Sequence, residues 1–257
     1  MKNKFLFLSS ILIVLLCVTV SCSKSESEPD VPKPDPIPVA VVDIDSNQYA
    51  IKQFGKTLWM TENLRVTRYD TQSPRSGVTI AQANSNAVDI EKPYYYVVKD
   101  FKNPPYTDNL TNPIRESLGF LYNWSAAAGV EKNGSPVGNK IQGICPNGWR
   151  LPNAKDLDSL CYYAGGYNVA GKNLKASSGW YTSTGSGTNE SEMNCYPAGL
   201  ATNNFVSMVG EQTMFWTSSA IINSKSTVLR LFFDQDAAEV LYIYQYQANS
   251  VRCVKDL

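Results

Sequence analysis

Ile144-Cys145-Pro146-Asn147-Gly148-Trp149-Arg150-Leu151-Pro152 lies in mid-chain, and Val251-Arg252-Cys253-Val254-Lys255 lies near the C-terminus. A cysteine beside a Pro-Asn-Gly turn and a tryptophan is matched by a cysteine in the last apolar segment. The arrangement suits a disulfide that ties the end of a domain back to its middle.

Cysteine usage supports that reading. Of the 6 cysteines, Cys17 belongs to an N-terminal signal and Cys22 to the expected lipid site that follows it, which leaves Cys145, Cys161, Cys195 and Cys253. An even number in an exported domain favours disulfides, and three connectivities are possible. The expected pairs are Cys145–Cys253 and Cys161–Cys195. No pair has CxxC spacing and the chain has 0 histidines, which argues against a zinc site.

Export itself is read from the first residues. Lys2 and Lys4 precede the apolar run Phe5 to Val20, the signature of a secretory signal over residues 1–21. Thr19-Val20-Ser21-Cys22 resembles a bacterial lipobox, with Thr19 in place of the usual leucine, so Cys22 is the expected lipidation site. Ser23 to Glu28 resembles the acidic export tag of surface lipoproteins. Pro29, Pro32, Pro34, Pro36 and Pro38 then alternate with charged residues, making 22–40 an extended tether at roughly 3.1 Å per residue. The expected location is the outer membrane, lipid-anchored and facing the exterior, with membrane contact through that lipid only.

Residues 41–257 suit one domain large enough to bury a core. The chain carries 23 basic and 23 acidic residues with no long block of one sign, so it lacks the basic stripe that nucleic acid requires. Tyr49 to Phe54 alternates, and Gly55-Lys56 turns into Thr57 to Met60, a hairpin pattern. Residues 66–116 read as a loop-rich excursion, with a short helix near Ile80 to Asn86 and a strand at Tyr94 to Val98. Gly119 to Gly129 ends as a short, Ala-rich helix stopped at Gly129. Asn153 caps a second helix that buries Leu157, Leu160, Cys161 and Ala164 and stops at Gly165-Gly166. Residues 166–213 form a long polar stretch, of the kind that is usually functional or inserted. Strands are expected at 215–220, 228–233, 240–246 and 250–254.

Taken together, these segments resemble the Fibrobacter succinogenes major paralogous domain, a family of exported bacterial proteins. The resemblance rests on Asp43 to Tyr49, Trp59 to Leu64, Gly119 to Trp124, Ile144 to Pro152, Gly179-Trp180, Trp216 to Ser219 (with Thr217 inserted) and Val251 to Asp256. Cys161, Cys195 and the 66–116 excursion depart from the pattern. The resemblance implies an α+β, C-type-lectin-like fold: a twisted antiparallel sheet, two helices and long irregular loops. It also implies a surface role in adhesion or glycan contact, and it brings no catalytic residue with it.

The residues exclude several chemistries on their own. Without histidine there is no Ser-His-Asp or Cys-His nucleophile. Asp156 and Asp158 diverge on a helix, and Glu190/Glu192 and Asp234/Asp236 fall in loops, so solvated surface acids explain these pairs better than a glycosidase dyad. Asp43, Asp45 and Asn47 share the spacing of a calcium loop but lack its glycine and closing glutamate, which leaves a hydrogen-bonded turn. A copper-type reactive pair at Cys145 and Cys253 is a poorer reading than a structural disulfide, because no cation cluster activates either. No cofactor, metal or catalytic residue is expected.

What remains is a neutral surface rich in aromatics and amides. Tyr242, Tyr244 and Tyr246 share one face of a strand, where rings can stack on sugars or on protein. Trp180, beside Gly179, and Asn189, Asn194, Asn203 and Asn204 in the long loop complete the expected ligand surface. The expected function is non-enzymatic binding of a glycan or other extracellular polymer. The alternative is a structural subunit of a pilus or envelope assembly that contacts surface proteins.

Overall fold

The computed structural model describes residues 40–83, 92–98, 116–130, 140–181, 187–202 and 205–257. The expected signal, Cys22, the tether, and Asn203 and Asn204 lie outside the described residues. All the described residues belong to one unit, Pro38–Leu257. Among them no helix is long and apolar enough to cross a membrane.

The opening hairpin forms where alternation predicts it. β1 (Ala40–Val42) pairs with β2 (Gln48–Phe54), and Gly55, at φ +61°, turns the chain into β3 (Thr57–Met60). The Asp43 turn between β1 and β2 is internally saturated. Asp43 accepts from the Asp45 and Asn47 amides, the Asn47 side chain and the Tyr49 hydroxyl.

The excursion holds β4 (Ala81–Gln82) and β5 (Tyr94–Val97). The helix expected at Ile80 is therefore a strand where it is described, paired in parallel with the Tyr run. β6 (Phe120–Asn123) leads into α1 (Trp124–Ala128), which Asn123 caps and Gly129 ends in the left-handed region. Gly143 permits a close approach there, since a Cβ would sit 2.1 Å from the Ala127 carbonyl oxygen. That contact sets Cys145 beside α1.

α2 (Ala154–Tyr163) begins with a capping box between Asn153 and Asp156 and buries Leu157, Leu160 and Cys161, as its spacing requires. A third helix, α3 (Tyr167–Leu174), replaces the start of the expected loop. Its buried Ala170 and Leu174 give a helical spacing, but Gly171 masks the signal. That glycine is needed because a Cβ would lie 2.2 Å from the Ala237 carbonyl oxygen. β7 (Leu200–Thr202) and β8 (Phe205–Ser207) form a short hairpin. β9 (Gln212–Ile222), β10 (Lys225–Phe232) and β11 (Ala238–Tyr244) form a three-stranded antiparallel sheet.

The last expected strand is instead divided. β12 (Ala248–Asn249) joins a six-stranded sheet in the order β4-β5-β6-β12-β7-β8, and β13 (Val254–Asp256) completes β1-β2-β3-β13. Between them, Ser250 to Cys253 bonds to several layers at once. Met60 N–H donates to the Cys253 carbonyl, Leu64 N–H to Val251, and Trp216 N–H to Ser250. The architecture is an α+β mixture dominated by antiparallel sheet, with three helices among the described residues.

Cys145 and Cys253 are joined, with Cα atoms 5.8 Å apart. The second expected disulfide is not formed: Cys161 and Cys195 are buried free thiols. Cys161 shares a hydrogen bond with the Tyr167 hydroxyl, while the Cys195 backbone bonds to Leu174 and Ala176. Burial pushes the Cys161 thiol up to about 12 and the Cys195 thiol up as well, which disfavours the thiolate form of both.

Arg252 is 1% exposed. It donates to Asn63 Oδ1 and to the Met193 and Asn194 carbonyls, and lies over the Phe215 ring.

Two outcomes follow from these contacts. Alkylation of the unfolded, unreduced chain should label Cys161 and Cys195 but neither Cys145 nor Cys253, and the folded protein should label none of the four. Peptide mapping that recovers a Cys161–Cys195 bridge would restore the two-disulfide pattern. Arg252→Ala should cost about 3 kcal/mol in urea denaturation, because buried acceptors lose their donor.

Candidate functional site

The structure separates the expected ligand residues. Trp180 is only 5% exposed, packed in the core beneath α2 and α3, with the Lys175 ammonium 5.2 Å from its ring centroid. It is a core residue and offers no face to a ligand. Asn189 and Asn194 bond to one another: the Asn189 amide donates to Asn194 Oδ1, and the Asn194 N–H donates to Asn189 Oδ1. Both have positive φ, a conformation asparagine tolerates, so they shape a turn. In the same loop, Glu192 pairs with Lys52 at 3.1 Å on the surface.

Tyr242 and Tyr244 do project outward from β11, alternating with the half-buried Leu241 and Ile243. Tyr246 lies beyond the strand in the following turn. The three rings are not equivalent. Tyr244 and Tyr246 stack with centroids 5.3 Å apart, and the Lys225 ammonium sits 4.5 Å from the Tyr244 ring. Tyr244 therefore has partners for its ring, whereas Tyr242 makes no ring contact among the described residues.

Tyr242 borders a two-lobed groove between α2 and the β9–β11 sheet. The smaller lobe, about 220 Å³, is lined by Leu157, Asp158 and Tyr167 on the helical side and by Thr217, Thr227, Val240 and Tyr242 on the sheet. Ala154 and Ser219 line this lobe and also the larger one, about 580 Å³. The larger lobe holds Lys140, Arg150, Asn153, Lys155, Asp156, Ser218 and Asp256.

Size alone would favour the larger lobe, but its charges are mostly engaged. Arg150 makes a paired bond to Asp156, at 2.6 and 3.0 Å, and also meets Asp256. Lys140 lies 2.7 Å from Asp256. The first amides of α2 are capped, Ala154 by Ser219 and the next two by Asn153. A helix N-terminus that would otherwise attract an anion is thus already satisfied.

The smaller lobe keeps open chemistry. Tyr167 donates to Asp158 Oδ1 at 2.9 Å, and no bond to Asp158 Oδ2 is seen among the described residues. Ser219 accepts from Ala154 and retains its own proton for donation. Thr217 and Thr227 donate within the sheet, to the Thr227 and Ser219 carbonyls. An apolar wall, one open aromatic face and a few hydroxyl-seeking groups are the usual make-up of a small-ligand site. Among the described residues no group of three or more His, Cys, Asp or Glu side chains is placed to hold a metal ion.

All of the groove's lining except Asp256 lies inside the stretch that matches a known family model, the Fibrobacter succinogenes major domain, over residues 53–255. The chain belongs to this family. No curated protein and no solved structure matches it.

In this Fibrobacter succinogenes major domain the quoted motifs serve mainly as scaffold. Asn63 and Arg252 bond to each other, Trp216 donates to the Tyr122 carbonyl at 2.7 Å, and Trp124 meets Trp216 edge-on at 5.2 Å. Sequence reading missed Asp158 and Tyr167 as site residues. They lie nine positions apart on different helices, and only the turn at Gly165-Gly166 brings them together.

The Arg150 cluster makes a pH test. The Arg150 and Lys140 contacts hold the Asp256 carboxyl at about 2, below its ordinary value. Its contribution is thus complete above the unfolded carboxylate range and is lost as pH falls toward about 2. Because Asp256 is partly exposed, Asp256→Asn should cost only about 1 kcal/mol at neutral pH. It should also flatten the acid limb of the stability profile below about pH 4, as followed by urea titrations across pH.

Proposed function

We propose that this protein is a non-enzymatic binding module that takes an extracellular glycan, or another extracellular polymer, in the groove beside Tyr242. The observation that carries this reading is the half-exposed Tyr242 ring, with no aromatic or cationic partner among the described residues, bordering a lobe lined by Asp158 and Ser219. An aromatic face beside hydroxyl-seeking groups suits a sugar, whose ring offers C–H on one face and hydroxyls at its edge.

The proposal includes a C-type-lectin-like fold, for which the family membership and the predominance of antiparallel sheet are the support. It also includes lipid attachment at Cys22, display on the outer membrane facing the exterior, and membrane contact through that lipid alone. Nucleic acid is not among the proposed partners, given the balanced charge.

A second reading draws on β11 itself. It is an edge strand of its sheet, with Val240, Tyr242 and Tyr244 exposed. Such an edge suits addition of a partner strand, as in a pilus or envelope assembly. That reading predicts stoichiometric co-purification with a surface protein and no glycan signal.

The deciding experiment is a broad glycan array probed with the full chain. Tyr242→Ala should lower binding about ten-fold, a loss of about 1.4 kcal/mol. Tyr162→Ala, at an exposed position outside the groove lining, should leave binding unchanged. Equal binding by the Tyr242 variant would remove the site.

A further inference from the structure

We infer that the smaller lobe selects an uncharged sugar ring, and that Asp158, positioned by Tyr167, reads its hydroxyls; this rests on the glycan reading above. The argument begins with what Asp158 can accept. An ionised carboxylate is acceptor-only, and Tyr167 occupies only one of its oxygens, at 2.9 Å. Its other oxygen is open to a further donor, and a sugar hydroxyl is one.

A second carboxylate, as on a uronic acid, meets the opposite situation. It brings like charge to Asp158, and among the described residues the smaller lobe has no cation in its lining. Lys225 lies over the Tyr244 ring, and Lys140, Arg150 and Lys155 line the larger lobe. There Arg150 faces Asp156 and Asp256, Lys140 faces Asp256, and the leading amides of α2 are capped by Ser219 and Asn153. Lys155 lines that lobe only.

Shape agrees with charge. The lobe, about 220 Å³, falls below the roughly 300–1,000 Å³ of sites for drug-sized ligands, so it suits a single ring. Tyr242 and Val240 supply the face on which the ring stacks, with Leu157 and Ala154 opposite. Ala154 and Ser219, joined by a 2.5 Å hydrogen bond, line both lobes, and the next residues of a polymer would cross that contact toward the larger lobe.

The test compares the full chain on neutral oligosaccharides of glucose, galactose, mannose and xylose with oligoglucuronates and oligogalacturonates of matched length. Neutral probes should bind at least ten-fold more tightly than the acidic ones. Asp158→Asn should weaken neutral binding about five- to ten-fold and narrow the preference, since the amide offers a weaker acceptor without the charge. Tyr167→Phe should weaken it by a smaller factor by releasing Asp158. Because Asp158 is exposed, its variant should keep the parent's denaturation midpoint. Acidic probes bound as well as neutral ones, or an unaltered Asp158→Asn, would overturn the selectivity while a Tyr242→Ala loss still upheld the groove. Binding to none of the probes would overturn both.

Discussion

A guanidinium held deep in the protein by neutral acceptors is the constraint that the rest of the structure satisfies. Arg252 is fixed by Asn63 and by the Met193 and Asn194 carbonyls, and Phe215 covers its face. Burial disfavours its charge and lowers its pKa, so each acceptor must be present for the cation to be tolerated. Those acceptors come from the segment after β3 and from the loop before β7. The side chain thereby fixes pieces of chain that no secondary structure joins. Asn63 also donates to the Leu118 carbonyl, which carries the same constraint toward β6.

The residues beside Arg252 extend it. Cys253 is bonded to Cys145, closing a loop with a sequence separation of 108, worth about 4.7 kcal/mol in the chain-entropy model as an upper value. Val254 exchanges backbone bonds with Arg150, and Asp256 meets the Arg150 side chain. Arg150 in turn grips Asp156 in the first turn of α2. The helical wall of the groove is thus placed by the C-terminal segment, through a chain of charged contacts that leaves the smaller lobe untouched.

Features set by local chemistry were legible in the sequence: the opening hairpin, the Asn153 cap, the Gly129 stop and the outward alternation of Tyr242 and Tyr244. Cys145–Cys253 was legible because a turn and a terminal strand frame it. Cys161–Cys195 was expected from parity, and an even count does not establish that two particular thiols are joined. Trp180 looked accessible because glycines surround it, yet Lys175 behind it is buried, its ammonium donating to the Phe232, Phe233 and Gln235 carbonyls. That inward anchor draws the segment into the core. Composition reports polarity here, whereas burial follows from where the backbone carbonyls happen to converge. The pairing of Asp158 with Tyr167 depends on the angle between two helices, which no periodicity encodes.

β13 comes after every other strand described, yet its neighbour is β3, near the start of the domain. The sheet begun by the first hairpin therefore stays one strand short until everything between Met60 and Val254 has been made. Completing that sheet needs contacts of long sequence separation, which places the fold among slow-forming topologies. A copy that lacks its last strand leaves the Trp59 edge of β3 unpaired and Cys145 without its disulfide partner.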